Sequence, residues 1–274
     1  VQIGDQCWFA ENLRYLPYVD DPSDHGPLDN ACYRYNGVIF GGYEYDPVYD
    51  LGRAYAYGYY GNNVSQAILP EVEIFGQIIP TYYSAYGALY DRYILQYYNS
   101  ISASVCPSGW HVPTDIEFEE LIEEVGGGNL VDAAYRLKGD QWLSPDGSGN
   151  WNGGGSNSSG FNALPSGGLF MEFGTCSGYT TAWYPFTPCE QTVGALTIDF
   201  KGAGNYGTWL TSTVEELDYG SGYWCGDDFV KVMHLSSDTQ DGVLLGISNF
   251  VAWDGYLTGV IEKEEAASIR CIKD

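Results

Sequence analysis

Two groups of oxygen donors have the composition of a hard-cation site. Asp146, Gly147, Ser148, Gly149 and Asn150 set a carboxylate and an amide on a run of small residues, and Asp20, Asp21 and Asp24 cluster around Pro22. Ca²⁺ takes about six to eight oxygen ligands, so clustered Asp, Asn and main-chain carbonyls are what it requires. Asp146, Asn150, Asp20 and Asp24 are the candidate ligands, although metal-free Asp/Gly turns have the same composition. A third group is aromatic and polar together. Tyr223, Trp224, Asp227, Asp228, Asn249, Trp253, Asp254 and Tyr256 combine stacking faces with carboxylates and amides, the mixture that a carbohydrate site or a protein-binding surface uses. Some of these aromatics equally suit a core.

The densest group is tyrosine. Residues 33–98 hold sixteen of the chain's twenty-five tyrosines, and Tyr55-Ala56-Tyr57-Gly58-Tyr59-Tyr60 alternates an aromatic with a small residue. Successive side chains on a strand face opposite sides, so this pattern suits extended ribbon with one stacked face. Tyr43, Tyr45, Tyr55, Tyr57, Tyr59, Tyr60, Tyr82 and Tyr83 are candidate contact residues, large and rigid with a hydroxyl at the tip. Catalytic chemistry has less to work with. His25, His111 and His234 are scattered, the seven cysteines contain no Cys-x-x-Cys pair, and no nucleophile elbow or phosphate-cradling Gly loop joins a strand to a helix. An enzyme is not expected.

Behind these groups stand two clear helices. Thr114 and Glu117 form a capping box after Pro113, Phe118, Leu121, Ile122 and Val125 follow at helical spacing, and Gly126-Gly127-Gly128 ends the run. Leu130, Ala133, Ala134 and Leu137 mark one face of a second helix that stops at Gly139. Tyr86, Tyr90, Tyr93 and Tyr97 predict a third over about 86–99. After residue 140 come short strands between Gly/Ser/Asn loops. Ala195–Phe200, Phe229–Leu235 and Ala267–Ile272 alternate as half-buried antiparallel strands do. Helices followed by a compact antiparallel sheet make an α+β fold.

Composition excludes several functions. Thirty-six acidic residues against eleven basic give a net charge of −25, which disfavours nucleic acid and acidic lipid surfaces and attracts cations. No run of about 18 apolar residues is present to insert into a membrane. No internal repeat is detectable.

Six motifs, in order, carry a resemblance: Ile3-Gly4-Asp5-Gln6-Cys7-Trp8-Phe9-Ala10-Glu11-Asn12-Leu13, Gly87-Ala88-Leu89-Tyr90, Val105-Cys106-Pro107-Ser108-Gly109-Trp110-His111-Val112-Pro113-Thr114-Asp115, Asn157-Ser158-Ser159-Gly160-Phe161-Asn162-Ala163-Leu164-Pro165, Trp209-Leu210-Thr211-Ser212-Thr213 and Ser268-Ile269-Arg270-Cys271-Ile272-Lys273-Asp274. Together they resemble the Fibrobacter succinogenes major paralogous domain, a bacterial extracellular module related to the C-type lectin-like and formylglycine-generating-enzyme folds. The resemblance runs from residue 3 to 274 and implies one domain, 1–274, with residues 37–85 a Tyr/Gly-rich insertion. Relatives usually carry a short strand before Val1, which implies that residue 1 is not the genetic start or that the front is missing.

Further expectations follow from the resemblance. In this fold a Cys106–Cys271 disulfide would tie the helical part to the last strand. Cys176 and Cys189 enclose residues 177–188 and could staple that loop, Cys7 and Cys32 are a third candidate pair, and Cys225 is left over, buried or joined to another chain. Such bridges imply an oxidising, extracellular or cell-surface setting. Gly222-Tyr223-Trp224-Cys225 loosely matches the copper-binding region of the formylglycine-generating enzymes, but no second cysteine lies nearby, and the clustered histidines of the iron enzymes of that fold are missing. The Glu-Pro-Asn and Trp-Asn-Asp motifs of calcium lectins do not occur. His111 falls inside the Gly-Trp-His motif, where a structural hydrogen-bonding role is expected. Asn63-Val64-Ser65 and Asn157-Ser158-Ser159 fit the N-glycosylation pattern, the second inside a family motif.

The sequence therefore predicts a C-type lectin-like α+β domain with two to three helices, a compact antiparallel sheet, long loops and no enzymatic or other cofactor beyond a candidate Ca²⁺. The expected function is a secreted or cell-surface structural protein whose partner is itself, as the subunit of an extracellular filament. The competing expectation is an adhesin or lectin-like module that binds glycans or proteins through the late loops.

Overall fold

The first helix begins where its capping chemistry dictates. Thr114 Oγ1 accepts from the Glu117 amide at 3.2 Å, and Glu117 Oε2 accepts from the Thr114 amide at 2.7 Å, so two otherwise orphaned donors are satisfied reciprocally. Helix α1 (Asp115–Gly126) buries Phe118, Leu121, Ile122 and Val125, and Gly127 closes it in the left-handed region at φ 57°, where a Cβ would be strained. Asn129 caps helix α2 (Leu130–Leu137) by accepting from the Val131 and Asp132 amides. Ala133, Ala134 and Leu137 are buried, but Leu130, expected on the same face, is about half exposed. It opens the first turn, where its carbonyl accepts from the Val243 amide at 3.1 Å. Gly126 lets the helices meet, since a Cβ there would lie 2.7 Å from that of Ala133.

The computed structural model describes residues 1–15, 33–35, 38–40, 54–55, 71–74, 77–80, 85–91, 104–143, 153–172, 197–216, 228–237, 242–246, 248–249, 259–261 and 266–274. Its strands are β1 (Gln2–Ile3), β2 (Gln6–Cys7), β3 (Tyr33–Tyr35), β4 (Val38–Phe40), β5 (Ala54–Tyr55), β6 (Glu71–Ile74), β7 (Gln77–Pro80), β8 (Leu89–Asp91) and β9 (Trp110–His111). After the helices come β10 (Gly168–Glu172), β11 (Thr197–Lys201), β12 (Tyr206–Glu216), β13 (Asp228–Ser236), β14 (Leu244–Gly246), β15 (Ser248–Asn249), β16 (Gly259–Ile261), β17 (Ala266–Ala267) and β18 (Ile272–Lys273). One sheet has the order β11-β10-β17-β8-β5; another runs β12-β13-β16-β15, with β14 also paired to β13. All described pairs are antiparallel except β15 with β16. Helices segregated from largely antiparallel sheets make this an α+β fold.

The β12–β13 ribbon is a wall between two cores. Trp209, Met233 and Leu235 face a cluster with Trp8, Phe118, Leu121, Phe161 and Ile272. Leu210, Val230 and Val232 face a second cluster with Leu13, Tyr90, Val112, Ile269 and Cys271. Strand alternation sends neighbouring residues to opposite faces, and here both faces are dry.

The two chain ends meet on this frame. Val1 and Trp8 exchange backbone hydrogen bonds, the Trp8 amide donating to Val1 O at 2.8 Å, while Trp8 also bridges to Ile272 and β18 pairs with β9. The Cys106–Cys271 disulfide forms, joining Cα atoms 5.9 Å apart across a sequence separation of 165.

Two expectations are corrected. The helix predicted over 86–99 is not formed at its start, because Leu89–Asp91 is strand β8, held between β5 and β17. Gly87 at φ 92° turns the chain out of helical geometry, and the Ala88 amide goes to Leu13 O. The four-residue tyrosine spacing is there, but tertiary pairing overrides it. The strand predicted over Ala267–Ile272 is split into β17 and β18, and it does not alternate, since every residue from Ala266 to Ile272 is buried. Ser268 and Arg270, which alternation would put in water, lie inside.

Candidate functional site

Four of the six motifs meet at Arg270. Asn12 Oδ1 accepts from Arg270 Nη2 at 2.7 Å, from Arg270 Nε at 3.1 Å and from Trp209 Nε1 at 2.8 Å. The same guanidinium donates from Nη1 to Phe161 O and from Nη2 to Asn162 O, and it lies over the Phe161 ring with 4.2 Å from Cζ to the centroid. Asn12 Nδ2 donates to Tyr86 O at 2.8 Å and to Ser268 Oγ at 3.2 Å, and Ser268 Oγ donates to Ser166 Oγ at 2.8 Å. One amide thus ties together the N-terminal segment, the 86–90 segment, the Phe161 loop, β12 and the last strand.

A buried cation costs several kcal/mol unless its donors are met. Here carbonyl and amide oxygens meet them, and the ring face adds about 2 kcal/mol of attraction in a dry setting. Burial pushes Arg270 down to about 9, with the Glu11 charge pulling it back up, so it remains a cation at neutral pH. Phe118, Trp8, Phe161 and Trp209 pack ring against ring around the centre, with centroids 5.1, 5.5 and 6.1 Å apart in successive pairs. Arg270, Phe161 and Trp209 are fully buried. The cluster is a keystone.

Three smaller polar groups complete the described set. His111 stands between two carboxylates, Nδ1 at 2.8 Å from Asp274 Oδ1 and Nε2 at 2.8 Å from Glu117 Oε1. Partial burial works against its charge, but the hydrogen bonds to Asp274 and Glu117 outweigh that and raise its pKa. Lys231 Nζ donates to Asp115 Oδ2 at 2.8 Å, and Thr213 Oγ1 donates to Asp115 Oδ1 at 2.7 Å. Burial opposes the Asp115 charge, but these hydrogen bonds outweigh it and hold the carboxyl below its usual range. His234 is buried beside Thr208, with Oγ1 2.9 Å from Nδ1, and burial lowers its pKa to about 4; it is neutral at pH 7.

The predicted site residues fare differently. Asp20, Asp24, Asp146 and Asn150 lie outside the described residues, as do Tyr43, Tyr45, Tyr57, Tyr59, Tyr60, Tyr82, Tyr83, Tyr223, Trp224, Asp227, Trp253, Asp254 and Tyr256. So do Cys32, Cys176, Cys189 and Cys225. Tyr55 is in β5, Asp228 opens β13 and Asn249 ends β15, which places the last two on one sheet, two strands apart. Cys7 is a half-buried free thiol in β2, so the expected bridge to Cys32 is not formed from its side. Asn157 is not an open glycan acceptor: its Oδ1 accepts from the Asn162 amide at 2.8 Å and its Nδ2 donates to Asn162 Oδ1, in a backbone of φ 49°. Among the described residues no three His, Cys, Asp or Glu side chains converge on a metal position. A shallow acidic groove on α1 is lined by Glu119, Glu120, Glu123 and Glu124.

Sequence reasoning missed the keystone. Arg270 read as an outward strand residue, yet its setting carried a signal: Ala266-Ala267-Ser268-Ile269-Arg270-Cys271-Ile272 is otherwise small or apolar, as strands covered on both faces are.

Fold and keystone together define an α+β domain with a fully buried polar centre at Asn12 and Arg270. The chain matches the Fibrobacter succinogenes major domain over residues 1–273 and belongs to that family. No curated protein and no solved structure matches it. Among the described residues no helix is long and apolar enough to cross a membrane.

Proposed function

We propose that this chain is a non-enzymatic structural module of the bacterial cell surface or extracellular space, built on a C-type lectin-like fold, that self-associates through its Tyr-rich insertion into a filament. The observation that carries this reading is the position of β5. Ala54–Tyr55, inside the insertion, pairs with β8 and is the terminal strand of the five-stranded sheet among the described residues. A strand at a sheet margin offers backbone donors and acceptors to a second copy, and flanking tyrosines supply stacking area at low entropic cost. A head-to-tail contact of this kind propagates as a fibre.

The test is negative-stain electron microscopy of the natively secreted protein, with and without a Ca²⁺ chelator, beside the triple variant Tyr57→Ser, Tyr59→Ser, Tyr60→Ser. Ordered filaments that the variant abolishes support the proposal, and loss on chelation puts Ca²⁺ at the contacts. Dispersed monomers, or a variant that polymerises normally, would overturn it. The second reading is an adhesin that binds glycans or proteins through the late loops. It rests on Asp228 and Asn249, which put two of the candidate polar ligands on one sheet, and a glycan and protein binding screen tests it.

A further inference from the structure

His111 is bracketed in a way only its protonated form satisfies. A neutral imidazole donates from one nitrogen and accepts at the other. Here each nitrogen meets a carboxylate oxygen at 2.8 Å, Asp274 on one side and Glu117 on the other. Carboxylates accept only, so a neutral ring must turn a lone pair towards one of them. The two carboxylates are held unequally. Glu117 Oε2 already accepts from the Thr114 amide at 2.7 Å and the Thr114 hydroxyl at 2.9 Å, which fixes it in the α1 cap. Asp274 is much more exposed, and its amide donates to Gly109 O at 3.2 Å.

We propose that His111 is a proton-operated clasp that fastens the residues after β18 to the start of α1 and releases Asp274 when the ring loses its proton. With both N–H groups present, the ring spans Glu117 and Asp274. When one proton leaves, the remaining N–H stays with Glu117, and the bare nitrogen faces Asp274. Ile272 stays in place, pinned by its bridge to Trp8. The opening is therefore confined to Lys273, Asp274 and the adjoining margin of β9.

Other charges around the ring do not take over this task. On α1, Glu120 lies one turn beyond Glu117 and is bonded to Gln6 Nε2 at 3.0 Å. Lys273 is in register with Trp110, not His111, so it projects from the opposite face of the pair. The raised pKa of His111 agrees with the geometry. A histidine whose folded pKa lies above the unfolded value of about 6.5 contributes fully below that value and loses its contribution as pH rises through the folded pKa.

Histidine NMR and backbone amide exchange, both followed against pH, test the clasp. His111 should titrate above about 6.5. Protection of the Lys273 and Asp274 amides, corrected for intrinsic exchange, should fall roughly two- to five-fold across that titration, the scale of one partly exposed ion pair. Asp274→Asn should lower the His111 pKa and flatten the protection profile, with the methyl spectrum of the core unchanged. His111→Gln should flatten the profile as well. A His111 that titrates at or below the free value, or protection that stays level through its titration, would overturn the clasp. So would an Asp274→Asn protein with the profile intact.

Discussion

At the scale of single residues, the chain places a guanidinium where water cannot reach. Arg270 is fully buried, and Asn12 Oδ1 alone takes three of the donors around it. Removing that acceptor strips two of the guanidinium's hydrogen bonds and leaves an indole N–H unmet, so Asn12→Ala should destabilise the domain by about 3–5 kcal/mol, the cost of breaking a buried charged contact. Urea unfolding of variant and parent measures it; a loss within about 1 kcal/mol, an ordinary value for a substitution, would show that water or a rearranged side chain replaces the amide. Arg270 illustrates a general difficulty of reading strands. A charged residue between Ile269 and Cys271 has the alternation of an exposed position, and partners far along the chain, Asn12 at a separation of 258 and Phe161 at 109, hold it inside.

At the scale of elements, legibility follows how local the causes are. Helix α1 could be read from Thr114, Glu117, Phe118, Leu121, Ile122, Val125 and the glycines after it, because capping and amphipathic spacing act within a few residues. The stretch after Tyr86 could not, because the partners that make Leu89–Asp91 a strand are Ala54–Tyr55 and Ala266–Ala267. The Cys106–Cys271 bridge was legible only through the family resemblance, since spacing alone pairs no cysteines. The contact between α1 and α2 yields a sharp expectation. In an isolated helix Gly126→Ala would gain about 1 kcal/mol. In this protein the new methyl would sit 2.7 Å from Ala133 Cβ, and overpacking should reverse the sign to a loss of about 1–3 kcal/mol. Thermal unfolding decides between the two, and a stabilised variant would mean that the helices can part without cost.

At the scale of the whole molecule, one covalent link spans most of the chain. Closing a loop with a sequence separation of 165 restricts the unfolded ensemble by about 5 kcal/mol in the chain-entropy model. Reduction, or the pair Cys106→Ala and Cys271→Ala, should therefore lower stability by a large part of that amount, measured by urea midpoint with and without reductant. An unchanged midpoint would show that the unfolded chain keeps the two segments together by other means. The same link sets what happens under load. Trp8 stands between Val1 and Ile272 of the last strand and bridges to both, so tension applied at the two ends peels these contacts apart one at a time. The peeling then meets the sulfur bridge. Everything between Cys106 and Cys271, both cores' shared wall and the two helices included, sits inside the closed loop and bears no pull. A reduced chain could lengthen by a further amount on the order of 500 Å. The oxidised domain gives only its front portion to extension, and a string of such units would stretch to a fixed limit and recoil.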